Sequence, residues 1–128
     1  MRVLITGARE WANRQEVWNA LSELYIKSGE DTFIVVHGGA RGADTWAHMW
    51  YETRKDYPGM YEEVHSVSDK DWKTRGRAAG IIRNQKMVDL GADICLAFPM
   101  PSSKGTVHCM RAAKLAGIPV INYGSVLK

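Results

Sequence analysis

Short apolar runs alternate along the chain with longer segments of helical periodicity, and this alternation limits the possible folds more than any other feature. Residues 2–7 (RVLITG), 33–37 (FIVVH) and 93–98 (DICLAF) are almost continuously apolar. Strands that are buried on both faces have this composition. A chain in which such strands alternate with helices builds a parallel sheet with right-handed crossovers and helices on both faces. We therefore predict an α/β fold.

The pattern predicts five strands and four helices in strict alternation. The predicted strands are residues 2–7, 33–37, 63–67, 93–98 and 120–123. The predicted helices are residues 13–29, 42–54, 78–90 and 105–116. The polar segment 69–76 is predicted to be a loop, and the residues after 123 a short tail.

Length and composition indicate one soluble domain. The 128 residues are expected to form a single domain, because 45% apolar and 24% charged residues are ordinary for a globular protein. The apolar runs are far shorter than the roughly 20 residues that span a bilayer, and the first residues lack the layout of a signal peptide. Cys95 and Cys109, the only cysteines, provide no disulfide scaffold. We expect both thiols in the core of a cytoplasmic protein.

The residues directly after each strand are the candidate site, because ligands of open α/β sheets bind beyond the carboxyl ends of the strands. Gly7, Arg9 and Glu10 follow the first predicted strand. Gly7 permits a tight turn, and the two charged residues lie at the expected ligand edge. A plain turn with a surface ion pair is the alternative. The segment is not a dinucleotide-binding fingerprint, because G-x-G-x-x-G is absent.

Three glycines in five residues follow the second strand and lead into a helix. Gly38, Gly39, Arg41 and Gly42 belong to this segment, and Asp44 lies in the first helical turn. Such a helix start presents backbone N–H groups and the positive end of the helix dipole to an anion. Asp44 either accepts hydrogen bonds from ribose hydroxyls or complements the helix dipole. Both interpretations are open at the level of the sequence.

The second half of the chain carries a local cluster of positive charge. The formal net charge is +3, and six cations lie between Lys70 and Lys86. Such a cluster favours an anionic partner, with a solvated basic helix face as the alternative. Arg77, Arg83 and Asn84 lie on the predicted helix in this segment, from which they can reach the strand ends.

A second candidate for a phosphate cradle follows the fourth strand. Lys104, Gly105 and Thr106 begin a predicted helix, although the G-x-x-x-x-G-K-[ST] pattern of a Walker A loop is absent. Trp11 and Trp72 lie next to the candidate loops and could stack on a base. The four histidines show no metal-ligand spacing with one another or with the cysteines, so no metal and no cofactor are predicted.

Four segments appear together and in order: TGAREW, HGGARGADTWA, DWKTRGRAAGIIRNQKMVD and AFP…KGT. This set resembles the YspA-like (YAcAr) branch of the SLOG superfamily, which also includes DprA and the LOG phosphoribohydrolases. The resemblance covers residues 2 to about 123. It implies a Rossmann-like parallel sheet of order 3-2-1-4-5 with a nucleotide-type ligand where the strand order reverses. The implied ligand-binding positions are Gly7, Arg9, Gly38, Gly39, Gly42, Asp44, Arg83, Asn84, Gly105 and Thr106.

The resemblance also raises the question of catalysis. LOG enzymes hydrolyse the N-glycosidic bond of a nucleoside monophosphate and use a P-G-G-x-G-T-x-x-E motif with an upstream Arg. Here Arg83 matches that Arg, but Cys109 occupies the position of the Glu. A thiol cannot replace a carboxylate in this reaction. Glu10 and Asp44 are therefore the acidic candidates for catalysis, together with Arg83.

Three functions are consistent with these residues. The favoured one is a binding or sensing domain for a nucleotide or a nucleotide-derived small molecule, and a homo-oligomer is expected from related folds. The alternatives are a LOG-like hydrolase and, less favoured, a DprA-like binder of single-stranded nucleic acid. In the expected binding mode, the ligand phosphate lies at Gly105 and Thr106 and is neutralised by Arg83 with Arg77. Asp44 accepts hydrogen bonds from the ribose.

Overall fold

The computed structural model describes residues 1–124, so the predicted tail beyond residue 124 lies outside the described residues. The strands are β1 (Arg2–Gly7), β2 (Phe33–His37), β3 (Met60–Val64), β4 (Ile94–Phe98) and β5 (Val120–Asn122). The helices are α1 (Arg14–Ser28), α2 (Ala43–Glu52), α3 (Asp69–Arg75), α4 (Arg77–Asp89) and α5 (Lys104–Leu115). Within residues 1–124, no helix has the length and apolar character needed to cross a membrane.

All five strands are parallel and form one sheet in the order β3-β2-β1-β4-β5. The α/β fold and the 3-2-1-4-5 order expected from the sequence are therefore confirmed. The chain builds outwards from β1 to β3 on one side, then returns to place β4 and β5 on the other. The order reverses between β1 and β4, which is where sheets of this type bind ligands.

The sheet separates two apolar cores. Val3 and Ile5 of β1 pack with α1 and α2, including the fully buried Trp50, on one face. Leu4 points to the opposite face, where it packs with α4 and α5 around Met87 and the cysteines. Successive side chains of a strand alternate between faces. Because both faces are covered, each central strand is apolar throughout, and this made these strands easy to predict.

The third strand lies three residues earlier than the sequence indicates. We predicted 63–67, whereas β3 spans Met60–Val64. It is an edge strand, and its central residues Glu62 and Glu63 are half-buried through contacts with histidine and arginine side chains. A half-buried strand held by polar contacts has no apolar run. The prediction therefore followed Val64 and Val67 and placed the strand too late in the chain.

The predicted loop 69–76 is wrong, because Asp69–Arg75 forms the helix α3. The Ser68 hydroxyl caps this helix by accepting a hydrogen bond from the Asp71 N–H over 3.1 Å. Acidic residues in the first turn and basic residues in the last turn stabilise it through the helix dipole. The helix buries none of its residues, and it therefore shows no apolar periodicity in the sequence.

Position 42, directly before α2, requires glycine for two reasons: its backbone conformation is left-handed, and a side chain there would collide with a neighbouring segment. Its φ is +76°, and a β-carbon there would lie 2.2 Å from the carbonyl oxygen of Ala8. We expect Gly42→Ala to lower the free energy of unfolding by ~3 kcal/mol, because left-handed strain adds to a backbone collision. Urea denaturation measures this loss.

Gly29 is the matched control for Gly42. Its φ is +58°, but a β-carbon at this position would have no other atom within 4 Å among the described residues. Gly29→Ala should therefore cost only the conformational strain, about 1 kcal/mol. Equal losses in the two variants would show that the contact with Ala8 does not limit the residue at position 42.

The Glu63 side chain links β3 at the edge of the sheet to β1 at its centre. Its contacts predict that the folded state is less stable in acid. Arg2 donates two hydrogen bonds of 2.9 Å to its carboxylate, and His65 contacts it at 2.7 Å. These partners, Arg2 first, lower the pKa of Glu63 from its ordinary 4.5 to about 2. Since the folded-state pKa is depressed, this stabilisation is present above about pH 4.5 and is lost as the pH falls towards 2.

Glu63→Gln should lower stability near neutral pH by ~1 kcal/mol, a value reduced because the pair is partly exposed to solvent. It should also flatten the dependence of the urea midpoint on pH between about 4.5 and 2. Glu23→Gln, which removes an exposed ion pair with Lys27, is the control and should change stability less. If the urea midpoint of Glu63→Gln depends on pH as in the wild-type protein, Glu63 is not the group that causes the acid sensitivity.

Candidate functional site

A cavity of about 350 Å³ opens at the carboxyl edge of the sheet. Its wall is formed by the loops that follow three neighbouring strands and by side chains of two helices. The wall consists of Arg9 after β1, residues 38–41 after β2, Ser66 and Val67 after β3, Trp72 of α3 and Arg83 of α4. The structure thus brings together Arg9, Gly38, Gly39, Arg41 and Arg83 from the residues that the sequence singled out.

The Arg83 guanidinium is held in place by three acceptors. Its Nη1 donates to the carbonyl oxygens of Gly38 (2.7 Å) and His65 (3.3 Å), and its Nε donates to Asn84 Oδ1 (2.8 Å). Burial lowers the pKa of Arg83, and the nearby Asp44 carboxylate partly opposes this effect. Within residues 1–124, Nη2 forms no hydrogen bond, so the N–H groups of this nitrogen are available to a ligand.

Two of the predicted glycines permit close approaches around the cavity. A β-carbon at Gly38 would lie 2.1 Å from Arg83 Nη1. A β-carbon at Gly7 would lie 2.4 Å from that of Ala43, at the start of α2. The glycines therefore allow the arginine and the helix to reach the strand ends, and a side chain at either position would displace them.

Asp44 lies beneath the loop that follows β2. Its side chain is 5% exposed, and Oδ2 accepts hydrogen bonds of 3.1 Å from the N–H groups of Gly38 and Ala40. Burial raises the pKa of this carboxyl, while the nearby His37 and the two N–H donors act in the opposite direction. Asp44 does not line the cavity. Its contact with a ribose stays a prediction, and its observed role is to hold the loop.

His37, at the end of β2, fixes the same loop from the other side. The Gly39 N–H donates to His37 Nδ1 over 3.0 Å, so Nε2 carries the proton and donates to Glu62 Oε2 over 2.8 Å. His48 Nδ1 contacts the same carboxylate oxygen at 2.7 Å. The sequence did not indicate this cluster, because Glu62 lies outside the predicted third strand.

The atoms of His37, His48 and Glu62 are close enough to hold a metal ion, since they lie within 4.8 Å of one another. The tautomer of His37 does not favour this use. A metal-bound histidine donates its other ring N–H to an acceptor, whereas here that nitrogen receives a backbone N–H from Gly39. The cluster is therefore built to support the loop.

The start of α5 lies apart from the cavity. Lys104 and Gly105 are exposed, Thr106 is buried, and the three residues do not contribute to the cavity wall. Asn84 Nδ2 donates to the Gly105 carbonyl oxygen over 3.2 Å and so connects α5 to Arg83. The binding of a phosphate at Gly105 and Thr106 stays a prediction.

The remaining predicted residues lie at the surface or in the core. Arg77 is exposed at the start of α4 and does not line the cavity. Glu10 is exposed and lies 3.8 Å from Arg41, which is a surface ion pair of little energetic weight. Trp11 packs edge-on against Phe98, with ring centroids 5.4 Å apart.

Trp72 forms the aromatic part of the cavity wall. The Arg9 guanidinium lies over its ring, 4.8 Å from the centroid. Ser66 and Val67, next to it in the wall, were not predicted as site residues because both fall within the predicted strand 63–67. A correct end for β3 at Val64 would have placed both residues directly after a strand, where ligand contacts are expected.

Cys109 and Cys95 are both fully buried, which confirms that they are core residues. The Cys95 thiol donates a hydrogen bond to Cys109, which lowers the pKa of Cys109. Cys109 thus lies below the site and is closed to solvent. Among residues 1–124, neither Asp nor Glu contributes to the cavity wall, which contains Arg9, Arg41 and Arg83.

A parallel sheet of order 3-2-1-4-5 with helices on both faces defines the class of Rossmann-like, doubly wound domains. Within this class, the family model of the YspA, cpYpsA-related SLOG family matches residues 1–55. The chain is also 50% identical over 124 residues to the Gene 61 protein of Mycobacterium phage D29, covering 96% of each chain. The protein belongs to this SLOG family. No solved structure matches it significantly.

Asp44 offers a test of how the loop is held. Asp44→Ala leaves the N–H groups of Gly38 and Ala40 without an acceptor and should cost ~2 kcal/mol of unfolding free energy. Asp44→Asn keeps one acceptor oxygen and removes the buried charge, so it should lower the free energy of unfolding by less than Asp44→Ala does. Urea denaturation at neutral pH compares them, with the exposed Asp56→Ala as control. Equal losses for Ala and Asn would exclude the acceptor role.

Proposed function

We propose that the protein is a binding domain for a nucleotide or a nucleotide-derived small molecule, and that an anionic group of this ligand binds to Arg83. The observation that carries the proposal is the hydrogen bonding of the Arg83 guanidinium. Three acceptors hold it rigidly at the cavity wall, and Nη2 is left without a partner in the described residues. The N–H groups of Nη2, held in place by the contacts of the other two nitrogens, can donate charge-assisted hydrogen bonds to a phosphate oxygen.

The other walls of the cavity suit the rest of such a ligand. Arg9 and Arg41 add positive charge to the wall, and the charge of Arg41 is partly offset by Glu10 at 3.8 Å. Trp72 supplies an aromatic surface for a base, and Ser66 supplies a hydroxyl for hydrogen bonding to a sugar. The volume falls within the range of about 300–1,000 Å³ that is usual for small-molecule pockets.

The same geometry favours binding over hydrolysis. Cleavage of an N-glycosidic bond needs a carboxylate to position water and stabilise the developing positive charge on the sugar. Glu10 is exposed and faces Arg41, Asp44 is buried beneath the loop, and Cys109 is inaccessible. With these residues outside the cavity wall, we propose a sensor or ligand-binding domain.

Arg83→Ala should weaken the binding of a nucleoside 5′-monophosphate about 10- to 100-fold, the effect of losing hydrogen bonds from a charged donor. Isothermal titration calorimetry with AMP measures the change. Arg83→Lys, which keeps the charge but loses the planar fork, should give an intermediate affinity. Arg111→Ala, at an exposed position on α5, is the matched control. Unchanged affinity in Arg83→Ala would rule out this site.

Incubation with nucleoside 5′-monophosphates, NAD and ADP-ribose should release no free base above the level of a protein-free control. Chromatographic detection of the base measures this directly. A release that disappears in Arg83→Ala would instead establish a hydrolase at this site. The source of its carboxylate would then be Glu10 or Asp44, and Glu10→Gln and Asp44→Asn would distinguish the two.

A further inference from the structure

The two helical layers that cover the sheet differ in charge. The layer of α1 and α2 contains two Lys or Arg residues against four Asp or Glu residues. The layer of α4 and α5, which pack against each other on the opposite face, contains six Lys or Arg residues against one carboxylate, Asp89. That carboxylate accepts a hydrogen bond of 2.9 Å from Gln85. The outer face of α4 and α5 is therefore the positive side of the protein.

The cations of this layer have no carboxylate partner. Each ion pair within residues 1–124 joins two groups between positions 1 and 65, as Lys27 and Glu23 do at 2.8 Å on α1. Like charges that are gathered on one surface repel one another, and an anionic partner relieves this repulsion. Five exposed cations of the layer form no ion pair with a described residue: Arg77, Lys86, Lys104, Arg111 and Lys114.

On α5 the cations form a stripe along the outer side of the helix. Lys104, Arg111 and Lys114 are all exposed, and they are separated by seven and then three positions. These spacings return to one side of an α-helix, and at 1.5 Å per residue the stripe is about 15 Å long. The opposite side of α5, which includes Cys109 and Ala113, packs in the core. Because a nucleic-acid duplex carries one negative charge per ~1.7 Å of its axis, every cation of such a stripe can contact a phosphate.

The composition of the two helices favours a duplex over a single strand. Proteins that bind single strands combine positive charge with aromatic side chains on which the bases stack. Neither α4 nor α5 contains Phe, Trp or Tyr. Trp72 of α3 contacts the Arg9 guanidinium in the cavity wall. A duplex presents its phosphates outwards, so cations alone are sufficient to bind it.

A second copy of the chain could also supply negative charge, through its layer of α1 and α2. Such a contact joins two unlike surfaces, so it continues from copy to copy into a ring or a filament. A duplex neutralises the basic layer without requiring the chain to polymerise. The charge on the page therefore favours the duplex.

We propose that the outer face of α4 and α5 binds the phosphate backbone of double-stranded nucleic acid without reading its sequence. Lys104, Arg111 and Lys114 contact phosphates along the stripe, and Arg77 and Lys86 extend the contact across α4. This function is separate from the proposed binding of a small ligand, which takes place in the cavity at the carboxyl edge of the sheet.

Fluorescence anisotropy with a labelled DNA duplex of about 20 base pairs tests the proposal. The wild-type protein should bind the duplex at about 50 mM salt and lose affinity as salt is added, because bound phosphates release their counterions. A duplex of unrelated sequence should bind equally well. Arg111→Gln, Lys114→Gln should weaken binding about tenfold and reduce the slope of log K against log salt by about two. Its affinity for AMP should not change, since neither residue lines the cavity.

Lys27→Gln, Lys55→Gln is the matched control. It removes the same charge from cations that are already paired, Lys27 with Glu23 and Lys55 with Glu52. The two double variants have the same net charge, so a difference between them reports the position of the charge. The control should bind the duplex as the wild-type protein does, and thermal unfolding verifies that all variants are folded.

Three other results would each overturn the proposal. If the wild-type protein does not bind the duplex at low salt, or if the two double variants lose affinity equally, this face is not a nucleic-acid interface. Tighter binding of the single strand than of the duplex would show that the assignment of a duplex is wrong. Self-association in sedimentation experiments that is lost in Arg111→Gln, Lys114→Gln would instead make the face an interface between copies of this chain.

Discussion

The arrangement of the site depends on the hydrogen bonds of one side chain, Arg83. Its guanidinium connects the loop after β2, through Gly38, to the segment after β3, through His65, and to α4 itself. A partly buried cation is costly unless acceptors surround it. The carbonyl oxygens and the nearby Asp44 carboxylate offset this cost. The acceptors come from separate segments, so the arginine adds a side-chain connection between them to the backbone pairing of β2 with β3.

The glycine-rich loop is held from several directions at once. Asp44 accepts two of its N–H groups from below, His37 accepts the N–H of Gly39, and Arg83 binds the carbonyl of Gly38. Its N–H groups at Gly38, Gly39 and Ala40 are therefore used within the protein. This differs from a phosphate loop, which presents free N–H groups to its ligand. In the proposed binding mode the ligand is therefore held by side chains, chiefly arginines, and the fixed loop lowers the conformational entropy lost on binding.

The errors in the sequence-based prediction fall on the part of the molecule that builds the cavity wall. The central strands were placed correctly because burial on both faces leaves an apolar run that is visible in the sequence. The edge strand β3 and the helix α3 bury few or no apolar side chains, and their stability comes from caps and polar contacts. Such contacts join residues distant in sequence, as Arg2 and Glu63 are, and leave no periodic pattern.

The amino-acid pattern was enough to predict the apolar strands, the main helices, and the glycines and arginines at the ends of the strands. These follow from periodicity and from residue types that act over a few neighbouring positions. Which of these candidates line the cavity depends on the folded arrangement of the chain. The tertiary structure placed Asp44 beneath the loop, separated Gly105 and Thr106 from the cavity, and set Arg83 in its wall. The physical reason is that these positions depend on contacts between separate crossovers, such as Arg83 with Gly38, which are 45 residues apart.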